Sequence, residues 1–207
     1  FGRWGDHSCV VPAMAALNVL DDTVADPRQH LGVLGMNGWT AYHGITETGR
    51  TRPGETVLVS AAAGATGLLA AQIARNMGCR VVGIAGGAGK CRMLVEEFGL
   101  DCAIDYKNDD VEQALTRIGG GIHVYFDNVG GPLLDAVLPH MAHYGRVAIC
   151  GLVATYAADS ATPGPRRFDQ VLMRRLSIAG FFSPDFAHRG PEYNSLLQPW
   201  LRAGRIT

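Results

Sequence analysis

No apolar run in the chain approaches the length of a transmembrane helix, so nothing in it reads as a membrane span. Charge bias is missing too: 18 Lys and Arg stand against 19 Asp and Glu, a net charge of −1. That balance gives no electrostatic reason to expect nucleic acid or an anionic membrane as partner. Cys9, Cys79, Cys91, Cys102 and Cys150 are scattered, without a Cys-x-x-Cys pair or zinc-ligand spacing. They read as free thiols in a reducing cytosol, which implies a cytoplasmic protein with no metal site. No secretory signal is visible, and the start at Phe1 rather than Met implies that the native N-terminus is missing. Solenoid-type repeats are absent as well. What remains is an ordinary globular composition in 207 residues, enough for one large domain or one domain with a fragment of another.

The chain is organised around residues 55–67. Val57, Leu58 and Val59 form a short apolar run, as expected of a strand buried on both faces of a parallel sheet. Small residues follow, and Leu68 to Ala74 reads as a helix packed on that sheet. The turn between them, Ala62-x-Gly64-x-x-Gly67, is a dinucleotide-binding fingerprint with alanine at its first position. Gly64 allows the backbone close to a pyrophosphate, Gly67 lets helix and strand approach, and the helix N-terminus offers unpaired N–H groups. The strand–turn–helix context is what the motif requires.

Strand and helix then alternate. Strands are predicted at Arg80–Ala85, Cys102–Tyr106, Ile122–Asp127, Tyr144–Gly151 and Leu176–Phe182. Helices are predicted at Trp39–Ile45, Cys91–Phe98, Val111–Ile118, Pro132–Met141, Phe168–Arg175 and Glu192–Ala203. Short Gly-rich links between them give an α/β fold, a doubly wound parallel sheet of the Rossmann type with right-handed crossovers. His43, on a helix with no carboxylate in register, reads as packing or surface, and Asp6 and His7 read as solvated surface. The loop Leu152 to Arg166 is long for a compact domain, and loops of that length are functional or mobile.

The end of the second strand bears on the cofactor. An acid about 20 residues beyond the fingerprint would hold a ribose 2′-hydroxyl and favour NAD. Here the text is Ala85-Gly86-Gly87-Ala88-Gly89-Lys90, with a cation and no acid. Glycines leave room for a 2′-phosphate and Lys90 supplies charge-assisted donors. The expected cofactor is NADPH.

The segments LGVLGMNGWTAYHG, GETVLVSAAAGATG, CRVVGIAGGAGKC, IDYK, YFDNVGG and RVAICGLVATY resemble the zinc-independent medium-chain dehydrogenase/reductases. The nearest subgroup is the NADPH-dependent alkenal/one oxidoreductases, which includes prostaglandin, plant double-bond and curcumin reductases. The resemblance implies that residues 31–207 form the cofactor domain and residues 1–30 are a remnant of a GroES-like substrate domain and its linker. It implies that Gly64, Ala65, Thr66 and Gly67 hold the pyrophosphate. Lys90 and Tyr106 would meet the 2′-phosphate end, and Asn128 the cofactor after the fourth strand. Cys150 and Gly151, in the segment through Tyr156, would pass the nicotinamide ribose, with Met36 and Thr40 lining the nicotinamide. Phe181, Phe182 and Ser183 match a segment whose backbone reaches the carboxamide, although the family usually has an aliphatic residue where Ser183 stands. Asn37 replaces a usual proline, a change expected to have no chemical consequence.

The implied chemistry is reduction of a carbon–carbon double bond conjugated to a carbonyl, with hydride delivered to the β-carbon. Tyr156 matches the family tyrosine that steadies the enolate or donates a proton. The implied partners are a small-molecule enone and a second copy, in a homodimer joined at the edge of the sheet. Two alternatives stay open at this level: a quinone reductase with the same cofactor, and a cofactor-binding module without turnover.

Overall fold

The structure, a computed structural model, describes residues 26–156 and 164–207. Most of the expected domain remnant, with Asp6 and His7, and the middle of the long loop after the fifth strand lie outside the described residues. Six strands make one sheet: β1 (Thr56–Val59), β2 (Arg80–Ala85), β3 (Cys102–Asp105), β4 (Ile122–Asp127), β5 (Met141–Ile149) and β6 (Ser177–Gly180). Their order is β3-β2-β1-β4-β5-β6 and every pairing is parallel. This is the doubly wound order of a dinucleotide-binding domain, with its switch point between β1 and β4.

Alternation along the strands feeds two cores. Val57, Val59, Val81, Val124 and Phe126 pack on one face with α1 (Met36–His43), α2 (Ala65–Asn76) and α8 (Gly190–Arg202). Leu58, Val82, Ile84, Tyr125 and Val147 pack on the other with α4 (Val111–Ile118) and α5 (Gly131–Val137). All four residues of β1 are buried, as a central strand covered on both sides should be. Each of its large apolar side chains contributes about 1.5–3 kcal/mol relative to exposure.

β2, α4 and β4 coincide with their predicted spans. Other spans shift at their ends, and three regions differ in kind. The helix predicted at Pro132–Met141 ends at Val137 and passes through a 3-10 turn at Leu138–His140, so β5 starts three residues earlier than Tyr144. Pro139 has no N–H with which to extend the helix, and Met141 is fully buried where it pairs with Ile122. The helix predicted at Trp39–Ile45 begins at Met36 and ends in a π turn, Gly44–Thr48. There the hydroxyls of Thr46 and Thr51 donate to the carbonyls of Tyr42 and Ile45, each at 2.7 Å. Hydroxyl donors of this kind loosen the local ladder. Finally, β6 is only Ser177–Gly180, and a short helix that was not predicted, α7 (Ser183–Phe186), follows it. The remaining helices are α3 (Ala88–Glu96), which starts three residues before its predicted span, and α6 (Asp169–Met173).

Candidate dinucleotide site at the carboxyl end of the sheet

The turn after β1 is held tightly. Ala62 N–H donates to the Ile84 carbonyl at 2.9 Å, and Gly64 N–H to the Ala61 carbonyl at 2.9 Å. The left-handed residue of the turn is Ala61, at φ 47°, which is why alanine is accepted at the next position, the first of the fingerprint. Such a backbone costs on the order of 1–3 kcal/mol and clusters at functional turns. A side chain on Gly67 would overlap the Ala61 carbonyl, so glycine is needed for α2 to lie on the strand end. Gly64 caps α2 with extended backbone and no side-chain hydrogen bond. The first-turn N–H groups of Ala65, Thr66 and Gly67 are therefore left for an anion.

Helix α1 is tied to this turn. Thr66 Oγ1 donates to Asn37 Oδ1 at 2.8 Å, so the residue that stands in place of proline has a defined task that the sequence did not disclose. The same helix carries Met36 and Thr40, whose Oγ1 donates to the Met36 carbonyl at 2.6 Å.

A second latch joins the ends of β1 and β4. Asp127 is wholly buried. Its Oδ1 accepts from Ser60 Oγ at 3.0 Å, Tyr125 Oη at 2.8 Å, and the N–H groups of Val129 and Gly130 at 2.9 and 3.0 Å. Burial, then the Asp127 charge, pushes the Tyr125 phenol well up, so it remains a donor. Asn128 donates its backbone N–H to Ser60 Oγ at 2.8 Å and its amide Nδ2 to the Ser60 carbonyl at 2.7 Å. The Asp127 carbonyl in turn accepts from Cys150 and Gly151, at 2.7 and 3.1 Å. Asn128 is thus held by Ser60, and Cys150 and Gly151 by Asp127, the two members of one buried hydrogen-bonded pair. Sequence reasoning saw Asp127 only as the end of a strand. The Cys150 thiol is pushed up to about 12 by burial and by the nearby Asp127 charge, which leaves it inert as a nucleophile.

At the other side of the crevice stands Tyr106, half exposed at the end of β3. A methyl group on Gly86 would come within 2.8 Å of its ring, so that glycine seats the phenol. Asp105 organises the loop between β2 and α3. Its Oδ1 accepts the Gly87 N–H at 2.7 Å and the Lys107 N–H at 3.1 Å, and its Oδ2 accepts Asn108 Nδ2 at 2.7 Å. The Gly87 bond foremost, and the Asn108 bond after it, hold this carboxyl below its ordinary range. Lys90 lies exposed in the first turn of α3, its N–H bonded to the Gly87 carbonyl at 3.1 Å. Between these elements is an apolar cavity of about 400 Å³, lined by Ala61, Ile84, Tyr106, Val129, Leu133 and Val153 among others.

Tyr156 follows a 3-10 turn at Val153–Thr155 and is 71% exposed. Its oxygen accepts the Leu152 N–H at 3.2 Å. That bond leaves the hydroxyl proton free to donate. Phe181, Phe182 and Ser183 lie farther out, at the end of β6. Phe181 N–H reaches the Ile149 carbonyl at 3.4 Å and its ring turns in beside Phe126, whereas Phe182 is 67% exposed and Ser183 opens α7. His43 is a packing residue, stacked on Phe186 at 4.0 Å with its Nδ1 2.9 Å from Tyr193 Oη. Contrary to expectation it does have a carboxylate in register, Glu47 one turn on, at 3.6 Å.

Fingerprint turn, apolar cavity and switch-point position together define a dinucleotide-binding domain of the Rossmann type. The chain belongs to the zinc-binding dehydrogenase family, whose description matches residues 65–198. It is 42% identical, over its whole length, to 61% of the NADPH-dependent curcumin reductase of Escherichia coli (strain K12). It is 40% identical, over 98% of its length, to 59% of the 2-alkenal reductase (NADP(+)-dependent) of Nicotiana tabacum. The crystal structure of CurA from Vibrio vulnificus in complex with NADPH superposes with a TM-score of 0.83 at 40% identity, covering 91% of this chain and 58% of that one. The chain thus spans about three fifths of the length of these relatives. Despite the family description, no group of three or more His, Cys, Asp or Glu among the described residues could hold a metal ion. Zinc does not fit these residues. No helix among the described residues is long and apolar enough to cross a membrane.

Proposed function

We propose that this chain is the cofactor domain of an NADPH-dependent reductase acting on the carbon–carbon double bond of α,β-unsaturated ketones and aldehydes. The observation that carries the reading is the crevice between β1 and β4. Its floor is the fingerprint turn, its far wall is Tyr106 seated on Gly86, and no acid follows β2. The names of the curcumin and 2-alkenal reductases support the same cofactor and substrate class. In this reading residues 31–207 are the cofactor domain and residues 1–30 belong to a GroES-like substrate domain. The protein works in the cytoplasm as a homodimer.

NADPH, when bound, supplies the hydride that goes to the β-carbon. The N–H groups of Ala65, Thr66 and Gly67 hold its pyrophosphate, the cavity takes the adenine, and Lys90 and Tyr106 hold the 2′-phosphate. Asn128, Cys150 and Gly151, fixed by Asp127 and Ser60, bound the ribose, and Met36, Thr40 and the backbone of Phe181 to Ser183 bound the nicotinamide. Tyr156 donates its hydroxyl to the substrate carbonyl oxygen, where negative charge develops. Holding two reactants face to face accounts for the rest of the rate.

The test is a steady-state assay of the full-length gene product with an enone, a quinone, NADPH and NADH. Enone-dependent oxidation of NADPH is expected, with NADH much poorer. Turnover with the quinone alone would replace the reading with a quinone reductase, and cofactor binding without turnover would leave a binding module.

A further inference from the structure

The opposite end of the sheet holds a second concave site. A cleft of about 300 Å³ is lined by Arg50, Arg52, Tyr144, Arg146, Arg175 and Ser177. Arg50 and Arg52 precede β1, Tyr144 and Arg146 straddle the middle of β5, and Arg175 and Ser177 flank the start of β6, whose first residue Ser177 pairs with Arg146, so the cleft lies toward the amino ends of β1 and β6, away from the fingerprint turn.

Its floor is rigid. Arg146 grips Glu55 with both terminal nitrogens, Nη1 to Oε1 at 2.9 Å, and donates from Nε and Nη2 to the carbonyls of Gly49 and Arg50 at 2.9 and 3.2 Å. Glu55 Oε2 also accepts the Arg52 N–H at 2.8 Å. Glu55 is the only carboxylate bonded to the lining residues among the described residues, and Arg146 consumes it. The other guanidinium groups have donors to spare. Those of Arg50 and Arg52 make no hydrogen bond among the described residues. Arg175 spends one nitrogen on the Met173 carbonyl and lies over the Tyr144 ring, 5.1 Å from its centre. Ser177 and Tyr144 add two hydroxyls.

Backbone strain marks the same place. Four non-glycine residues among the described residues are left-handed: Ala61 in the fingerprint turn, and Arg50, Tyr144 and Arg175, at φ 47°, 61° and 53°. All of the last three line this cleft. Strain of this kind persists where surrounding structure imposes it, and it gathers at binding sites. The free guanidinium groups of Arg50 and Arg52 and the partly engaged one of Arg175, on a rigid floor, also repel one another unless an anion joins them.

We propose that this cleft is a binding site for a phosphate-class dianion, either inorganic phosphate or a small phosphate monoester. Planar guanidinium forks match its oxygens, with the two hydroxyls as further donors. The site is independent of the dinucleotide site.

The experiment uses the full-length protein saturated with NADPH, so that the cofactor's own phosphate sites are filled. Thermal denaturation is followed against inorganic phosphate, against glycerol phosphate, and against chloride at equal ionic strength. Phosphate is expected to raise the melting temperature where chloride does not, and a larger effect of glycerol phosphate would identify an ester as the better occupant. Arg52→Ala, which removes a side chain that supports nothing else, should raise the phosphate concentration needed by on the order of tenfold. Arg52→Lys should restore part of the response, and Arg175→Ala should repeat the loss. Equal melting temperatures in phosphate and chloride would overturn the proposal, as would an unchanged response in Arg52→Ala and Arg175→Ala. A change of oligomeric mass in these variants, with no phosphate response in the parent, would show instead that the cleft is a contact between copies.

Discussion

Strands β1, β2 and β4 are buried along almost their whole length, whereas three of the four residues of β6 are exposed. Around β6 lie Phe168, Leu172, Met173 and Phe182, each more than 60% exposed. One flank of the sheet closes on its own side chains. There the fingerprint turn, the Asp127 latch and the seat of Tyr106 are all held by bonds within this chain. The other flank leaves an apolar edge that could accept another strand. The difference teaches a division of labour: the closed flank should govern cofactor affinity, and the loops of the open flank should govern rate and assembly.

The largest effect expected from this division is on Tyr156. On the proposed function, Tyr156→Phe in the full-length protein should lower kcat near a hundredfold, about 3 kcal/mol, and spare NADPH affinity. Transient kinetics with an enone separates the two quantities. An unchanged rate would mean that the ring only packs, and a loss of affinity instead would erase the contrast between flanks. Next in size is Lys90→Ala on the closed flank. It should weaken NADPH by roughly 1–3 kcal/mol, the scale of a charge-assisted hydrogen bond, and leave NADH and kcat nearly untouched. Equal losses for both cofactors in a titration would remove the 2′-phosphate contact from the account. The smallest effect on stability is expected at the open edge. Ala179→Lys puts a charge on β6 and should change stability by no more than about 0.5 kcal/mol. It should nonetheless convert the expected two-fold dimer to a monomer. Light scattering at micromolar concentration reads the mass, and a monomeric parent protein would withdraw the edge as an interface.

How far the sequence disclosed all this follows the same division. β2, α4 and β4 were legible to the residue, because their apolar spacing follows the local strand or helix period and a glycine bounds one end of each: Gly86, Gly119 and Gly121. The fingerprint turn was legible because close approach of backbone to backbone restricts residue choice. The open flank was misread in length, since β6 has no buried face to impose a pattern and α7 is too short to show a period. Asn37, Ser60, Asp105 and Asp127 carry side-chain bonds to residues that are distant or lie outside any periodic pattern. Thr66 and Asn37 are 29 positions apart, and Ser60 and Asp127 are 67 apart. No local signal announces such pairs. Lys90 and Tyr106 were named from the charge pattern and the family resemblance, but the glycine and carboxylate that seat them needed the fold.

The strand order also has a consequence for how the protein is made. β1 is the centre of the sheet, yet one of its two neighbours, β4, arrives late: Val57 pairs with Val124. The latch between them spans 67 positions. At a synthesis rate of about 5–20 residues per second, roughly three to thirteen seconds pass between the emergence of Ser60 and that of Asp127. During that interval β1 and β2 have each other but no β4, and an apolar strand edge faces solvent. Long-range parallel pairing is slow by its nature. The nascent chain therefore passes through a stage in which its most buried strand is its most exposed, and folding intermediates of this protein should bind chaperones through residues 56–59 before β4 displaces them.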